Sequence, residues 1–206
     1  GPISCEWINV PFGTNGQIGQ IVSFCNGQYI FSSCTFGNLV WSDEFNTNGA
    51  VNASNWHHQT QLPQGNSWYN GEVQHYTNRQ VNSNVSNGSL NIVAKKETFT
   101  DQGVTKQYTS ARLNSKFAFK YGKVEFRAKM PTNNGAGSWP AVWLLNRTVT
   151  EPGNYWGTQG FASTNWPASG EIDILEHYSK NHGYASSAMH TTSSNGGTVN
   201  TNGRWI

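Results

Sequence analysis

The sequence predicts an all-β fold, a sandwich or jelly roll of two antiparallel sheets. Short runs of alternating apolar and polar residues recur along the chain and are separated by clusters of Gly, Asn and Ser, which is typical of many short strands joined by turns. Leucine and alanine are sparse, and no window carries an apolar stripe at helical spacing. With 206 residues, the chain is long enough for one substantial core.

The first 38 residues are expected to form an N-terminal extension to a main domain at 39–206. Strand-like runs occur at 17–25 and 28–31. The extension also holds all three cysteines, which are Cys5, Cys25 and Cys34. One disulfide in any of three pairings is compatible with this number, and the spacing is not that of a zinc site.

Five further runs predict strands because apolar and polar residues alternate within short, turn-bounded stretches. These are 88–94, 110–119, 123–129, 141–145 and 171–177. Between the last two lies a loop, 146–169, which carries the aromatic residues Tyr155, Trp156, Phe161 and Trp166. A loop of this length is usually functional, so it is interpreted as a wall of a binding cleft or as an aromatic cluster that pins the loop.

The composition favours a protein that handles a neutral, polar polymer. Charged residues make up 12% of the chain and aromatic residues 13%, including 9 Trp, 8 Tyr and 10 Phe. Aromatic faces stack on sugar rings, although most of the Phe residues are expected to fill the core. The net charge is +2 without a basic run, which argues against nucleic acid and anionic membranes as partners. No apolar stretch approaches the roughly 20 residues of a membrane helix.

Three carboxylates are concentrated in the run 171–176, which reads Glu-Ile-Asp-Ile-Leu-Glu. Alternation puts Glu171 and Asp173 on one face of a strand, and a one-residue bulge at Ile174-Leu175 would bring Glu176 to the same face. The two Glu carboxyl groups would then approach to about 5–6 Å, close to the separation of about 5–5.5 Å in retaining glycosidases. An acidic surface strand and a metal site are the alternatives, although no Asp/Asn/Gly loop surrounds the acids as in a calcium site.

The same run resembles the active-site signature of glycoside hydrolase family 16, in the bulged form of its laminarinases; the family's lichenases carry a shorter, unbulged version. Six other segments resemble that family's strands in the same order. They are 39–45, 69–77, 110–113, 121–129, 139–143 and 189–191. The resemblance covers about 39–206 and implies a jelly roll whose concave sheet forms the substrate cleft.

By this resemblance, Glu171 is the nucleophile, Glu176 the general acid/base and Asp173 the assisting carboxylate. The reaction requires Glu171 to be ionised and Glu176 to be protonated near the working pH. The three groups are expected to titrate as a unit.

The resemblance also implies substrate-binding residues of three kinds. Sugar-stacking platforms are Trp139, Trp143 and Trp166; hydrogen-bonding groups on the non-reducing side are Asn70, Glu72 and Arg112; and His190 lies near the cleavage point. Two alternatives are an internal ion pair between Glu72 and Arg112 and a surface position for His190. No cofactor is expected and no metal in the site, although the family often binds a structural calcium, for which Glu44 is a weak candidate ligand.

The implied function is retaining endo-hydrolysis of β-1,3 linkages in laminarin-like or mixed-linkage β-glucan by a secreted enzyme. A non-catalytic carbohydrate-binding jelly roll is one alternative, and a related hydrolase for xyloglucan, agar or carrageenan is another. The chain ends at Ile206, before counterparts of the last strands of that family. A fragment, or a second chain that completes the fold, is therefore expected, with poor stability of the 206-residue chain alone.

Overall fold

A computed structural model describes residues 5–8, 22–25, 28–30, 38–131, 137–180, 183–192 and 198–205. The described residues form fourteen strands, one α-helix of four residues and one 3-10 turn. The predicted all-β class is therefore confirmed. None of the described helices is long and apolar enough to cross a membrane.

Residues 1–40 and 121–124 form one of two compact units. Its strands are β1 (Cys5–Ile8), β2 (Val22–Cys25) and β3 (Gln28–Ile30), which pair antiparallel in that order. The predicted runs at 17–25 and 28–31 contain β2 and β3. Cys5 and Cys25 occupy opposite positions on β1 and β2, whereas Cys34 lies outside the described residues.

The second unit comprises residues 41–120 and 125–206, and it contains eleven described strands and the helix α1. The strands are β4 (Trp56–His58), β5 (His75–Tyr76), β6 (Ser83–Ser86), β7 (Ser89–Ile92), β8 (Lys95–Asp101), β9 (Val104–Ser110), β10 (Leu113–Ser115), β11 (Ala141–Leu145), β12 (Glu171–Glu176), β13 (Tyr184–His190) and β14 (Thr198–Trp205). The helix α1 spans Tyr155–Thr158, and the 3-10 turn spans Tyr69–Gly71.

Among the described residues, these strands pair into four hydrogen-bonded groups. Their orders are β10-β4, β6-β7, β5-β9-β8 and β11-β12-β13-β14. All described strand pairings are antiparallel except that of β5 with β9, and an isolated bridge between Val149 and Thr164 is also parallel. The hairpin between β6 and β7 turns at Asn87-Gly88 with φ of 53° and 71°, as a two-residue turn with positive φ at both positions requires.

One of the five runs predicted from alternation is not a strand, and the segment 39–45, which resembles a family strand, is not in a strand either. The run 123–129 alternates as a strand should, yet it is not in a strand, and its side chains are exposed. Alternation shows which side chains a strand could bury, but a strand forms only where another chain segment completes its hydrogen-bond ladder. By contrast, three of the predicted runs contain strands: β11 lies in 141–145, β12 in 171–177 and β7 in 88–94. The run 110–119 contains the last residue of β9 and the three-residue β10.

Polar side chains share the interior with a modest apolar core. Trp68, Leu62 and Val149 are buried, as are Gln59 and Asn82, which are fully enclosed. The Asn82 amide donates to the Thr109 hydroxyl at 2.9 Å and to the Val93 carbonyl at 3.1 Å. Such hydrogen bonds offset the cost of burying an amide.

Candidate active site

Strand β12 lies between β11 and β13, and a bulge in it sets the direction of its acidic side chains. Against β11, Trp143 pairs with Asp173 and Val142 with Leu175, so Ile174 is the extra residue. The pairing with β13 shifts over the same interval. The predicted bulge is therefore confirmed. Leu175 is buried, while Asp173 keeps only 4% exposure and Glu171 and Glu176 are half-buried.

Glu171 is held by the loop that precedes β12 and by the end of β13. The Trp166 indole N–H donates to Glu171 Oε2 at 3.0 Å. The Nε2 of His190, directly opposite Glu171 in the ladder, lies 3.7 Å from Oε1. Burial, followed by the nearby Asp173 carboxylate, raises the pKa of Glu171 to about 7, while His190 and Trp166 oppose the rise. Burial and the Asp173 charge thus work against the ionised form that a nucleophile requires, whereas the His190 and Trp166 contacts favour it.

Glu176 receives two donors on one oxygen. The Trp139 indole N–H donates to Glu176 Oε1 at 2.9 Å, and the Tyr178 hydroxyl donates to the same oxygen at 3.4 Å. Burial raises the pKa of Glu176, and the Asp173 charge adds to the rise against these two donors. Both effects favour the protonated form that a general acid requires.

Asp173 connects the two glutamates. Its charge raises the pKa of both of them, and its Oδ2 lies 2.9 Å from His190 Nε2. The donor atoms of Glu171, Asp173 and His190 all lie within 4.8 Å of one another, so these three could hold a metal ion. They are also the groups that nucleophilic chemistry would use. No cluster of three His, Cys, Asp or Glu ligands among the described residues includes Glu44, and a structural calcium, which can also take carbonyl and water oxygens, stays a prediction.

A second polar cluster surrounds Arg112. The guanidinium makes two hydrogen bonds to Glu151, at 2.7 and 2.8 Å, and both side chains are nearly buried, with 10% and 9% exposure. The guanidinium carbon of Arg112, Cζ, also lies 4.7 Å from the ring centre of Trp143 and 5.2 Å from that of Trp68. Arg112 is therefore paired with Glu151 and not with Glu72, and one face of Trp143 is already covered.

Glu72 and Asn70 lie in and beside the 3-10 turn. Glu72 accepts hydrogen bonds from the Tyr76 hydroxyl at 2.7 Å and from the Gln74 amide at 2.6 Å. Asn70 is exposed and has φ of 58°, in the left-handed region. Its amide is thus presented on a tight turn rather than on a strand.

The loop 146–169 contains an aromatic cluster and a separate contact to the acidic site, while its role as a wall of a cleft stays a prediction. Trp156 contacts both Tyr155 and Phe161 edge to face, so these three residues form the predicted aromatic cluster. Trp166, by contrast, contacts the acidic strand: its ring centre lies 5.5 Å from that of His190, and its N–H reaches Glu171.

The sequence interpretation missed Tyr178, Glu151 and Gln59. Tyr178 could have been found, because alternation beyond Glu176 puts it on the same face. Glu151 and Gln59 carry no such signal, since a single acid in a loop and a single amide just after a short strand have no periodicity. Gln59 accepts from Arg112 Nε at 3.1 Å and donates to Glu151 at 3.1 Å.

The fold and the site define an all-β protein with two catalytic-type glutamates flanking an aspartate on one strand. The chain belongs to the family "Glycosyl hydrolases family 16", whose model matches residues 70–204. It is 38% identical over 163 residues to a glucan endo-1,3-beta-glucosidase A1 of Niallia circulans, covering 74% of this chain and 22% of the relative.

A beta-glucanase of Rhodothermus marinus is 36% identical, over 76% of this chain and 49% of the relative. The solved structure of LamAcat from Zobellia galactanivorans aligns with a TM-score of 0.74 at 48% identity, covering 82% of this chain and 66% of that one. The chain thus spans less than half the length of these two curated relatives.

Proposed function

We propose that the chain is the catalytic part of a retaining endo-β-1,3-glucanase that acts on laminarin-like or mixed-linkage glucan. The observation that carries the proposal is the placement of Glu171, Asp173 and Glu176 on one face of the bulged β12, with an indole donor on each glutamate. The similarity to a protein named glucan endo-1,3-beta-glucosidase supports the β-1,3 linkage.

In the first step, the Glu176 carboxyl gives its proton to the glycosidic oxygen, and the bond from that oxygen to the anomeric carbon breaks. The Glu171 carboxylate attacks the same carbon from the opposite side, forming a glycosyl ester while the shortened glucan leaves as an alcohol. The Trp166 N–H keeps Glu171 aimed, and Asp173 keeps a proton on Glu176 by raising its pKa.

In the second step, the Glu176 carboxylate accepts a proton from water as that water attacks the anomeric carbon. The ester bond to Glu171 breaks, which restores its carboxylate and leaves the product with the original anomeric configuration. Glu176 is again protonated, so the cycle closes without a metal or cofactor as reactant.

External azide tests the two roles separately. With an activated aryl laminarioside, Glu171→Gly leaves a space where azide attacks directly, giving the α-glycosyl azide. Glu176→Gly still forms the ester, which azide opens from the other side, giving the β-glycosyl azide. The same anomer from both variants, or undiminished turnover by Glu171→Gln, would refute the proposal. Retained laminarin binding by Glu171→Gln shows that the variant is folded.

A neutral glucan is proposed over sulfated substrates because the side chains that hydrogen-bond to the acids in the described structure are Trp139, Trp166, Tyr178 and His190. None of these is a Lys or Arg that would attract sulfate. Products from a panel of laminarin, mixed-linkage glucan, xyloglucan, agar and carrageenan, identified by mass, test this choice. We also propose that the protein is secreted, because a polysaccharide substrate is too large to enter a cell readily. The measurement is whether the protein is found in the medium of the source cells.

A further inference from the structure

The β11–β12 ladder continues beyond the ends of both strands. The His177 N–H donates to the Pro140 carbonyl at 3.0 Å, and the Ser179 N–H donates to the Ser138 carbonyl at 3.1 Å. Since Ala141 pairs with Glu176, this continuation puts Trp139 directly opposite Tyr178. The two residues form a cross-strand pair next to the general acid.

Alternation puts this pair on the face that carries Glu176. His177 and Ser179 are buried, with 6% and 0% exposure. Glu176 and Tyr178, which alternate with them, therefore point to the opposite face. The rings of Trp139 and Tyr178 are stacked with centres 5.1 Å apart and planes 24° apart. Both remain accessible, with 36% and 42% exposure.

Both rings donate to the same oxygen of Glu176, Oε1, and no described residue donates to Oε2. A neutral carboxyl group has one accepting oxygen and one hydroxyl. Two donors on Oε1 fix it as the accepting oxygen, so the proton lies on Oε2. That orientation aims one defined O–H at the leaving-group oxygen.

We propose that Tyr178 is a positioning residue for the general acid and that, with Trp139, it forms the platform for the glucosyl unit on the leaving-group side. This inference rests on the proposed function, because it assigns Tyr178 a part in proton delivery. The platform lies on that side because the proton from Glu176 goes to the leaving oxygen. The groups that face Glu176 are Trp139, Tyr178, Asp173 and His190.

Two substrates separate proton delivery from a general structural effect. A laminari-oligosaccharide needs both the proton and the platform, whereas dinitrophenyl β-laminaribioside has a leaving group that needs neither. Tyr178→Phe keeps the stacked ring and should lower kcat/KM for the oligosaccharide about 3–10-fold, as expected for one hydrogen bond, with less than about twofold change for the aryl glycoside. Tyr178→Ala should lower kcat/KM for the oligosaccharide by about a further 3–10-fold, because the stacking of Tyr178 on Trp139 is also lost. This further loss should not appear with the aryl glycoside.

The pH profile gives a readout that loss of packing alone would not move. The hydrogen bond from the Tyr178 hydroxyl favours the ionised form of Glu176, so Tyr178→Phe should raise the pKa of Glu176. The alkaline limb of the pH profile of kcat/KM for the oligosaccharide should therefore move to higher pH. Tyr108→Phe on β9 is the matched control and should leave both substrates and the limb unchanged. Equal losses on both substrates, or an unmoved limb, would overturn the inference.

A measurement without turnover keeps the inference separate from the proposed function. The carboxyl-carbon NMR resonance of Glu176, assigned by its loss in Glu176→Gln, should titrate at higher pH in Tyr178→Phe than in the unsubstituted chain. An unchanged titration overturns the role of Tyr178 even where the chain hydrolyses glucan. Failure to hydrolyse the aryl glycoside contradicts the proposed function, while the NMR shift still decides the positioning role.

Discussion

At the scale of single residues, the site works through one shared charge and separate neutral donors. The Asp173 carboxylate raises the proton affinity of both glutamates, whereas Trp166 binds only Glu171 and Trp139 binds only Glu176. The indole donors aim each carboxyl group without adding a formal charge. The proposed nucleophile and the proposed acid therefore differ mainly in their neighbours, since both are glutamates on one strand.

This shared charge predicts a specific pH effect of Asp173→Asn. Activity falls on the acidic side as Glu171 takes up a proton and on the alkaline side as Glu176 loses one. Removing the Asp173 charge lowers both pKa values, so both limbs should move to lower pH, by about 1 unit. The measurement is the pH profile of kcat/KM.

Asp101→Asn, which removes a carboxylate from the β8–β9 hairpin, is the control and should leave both midpoints in place. If the two limbs of the pH profile of Asp173→Asn move apart, or do not move, then Asp173 does not act on both glutamates through its charge.

At the scale of elements, the bulge in β12 decides which side chains share the face of Asp173. Without it, the spacing 171–176 would put Leu175 on the acidic face and Glu176 on the other. Because the ladder resumes with Leu175 opposite Val142 and Glu176 opposite Ala141, Ile174 alone takes up the extra length.

Two single-residue deletions test this function of the bulge. Deleting Ile174 should leave a regular strand that keeps all three acids on one face, so the fold and a measurable part of the activity should remain. Deleting Ile172 removes the spacer between Glu171 and Asp173 and turns Glu171 to the opposite face. The Ile172 deletion should therefore lower kcat/KM about 1,000-fold or more, an effect comparable to removing the nucleophile.

Both deletion variants are compared by circular dichroism and by kcat/KM on laminarin. A result in which the Ile174 deletion is as inactive as the Ile172 deletion, with both folded, would contradict this account of β12.

The loop 146–169 is anchored by a different device, the nearly buried pair of Arg112 with Glu151. Glu151→Gln should leave the guanidinium without its counter-charge and lower the free energy of unfolding by about 3 kcal/mol. The loop should also open, so trypsin should cleave after the exposed Arg147 faster. Urea unfolding and the cleavage rate are the measurements.

The matched control is Glu97→Gln, which breaks the more exposed ion pair with Arg79 and should cost less. Adding Arg112→Met to Glu151→Gln removes the stranded charge and should recover part of the loss. Equal losses from the two Gln variants would refute the anchoring role of Glu151.

The elements also show what the sequence could predict. β11 and β12 were predicted nearly to the residue, because alternation coincides there with strands on both sides. The run 123–129 alternates equally well but is not in a strand, since alternation says nothing about a partner. The acids and their bulge were predicted from spacing. The Arg112–Glu151 pair was not, because it joins residues 39 apart in the chain through a loop without periodicity.

At the scale of the whole molecule, the charge balance suits a neutral ligand. The chain has 13 Lys and Arg against 11 Asp and Glu, so no strong field attracts a polyelectrolyte. The described site adds a local negative charge through Asp173 and the ionised form of Glu171, which would repel sulfate groups. Recognition must then depend on aromatic contact and on hydrogen bonds to hydroxyls.

The ionic strength dependence of binding tests this inference directly. The variant Glu171→Gln binds without turnover, and its affinity for laminarin should change less than about twofold between 0.05 and 0.5 M salt, since neutral ligands gain little from screened charges. Carrageenan should bind weakly at low salt, because it meets the acidic strand. Calorimetry with both polysaccharides gives the two dissociation constants. Tight carrageenan binding that weakens steeply with salt would mean that a cationic surface, rather than aromatic side chains around β12, recognises the polymer, and the neutral-glucan proposal would then be wrong.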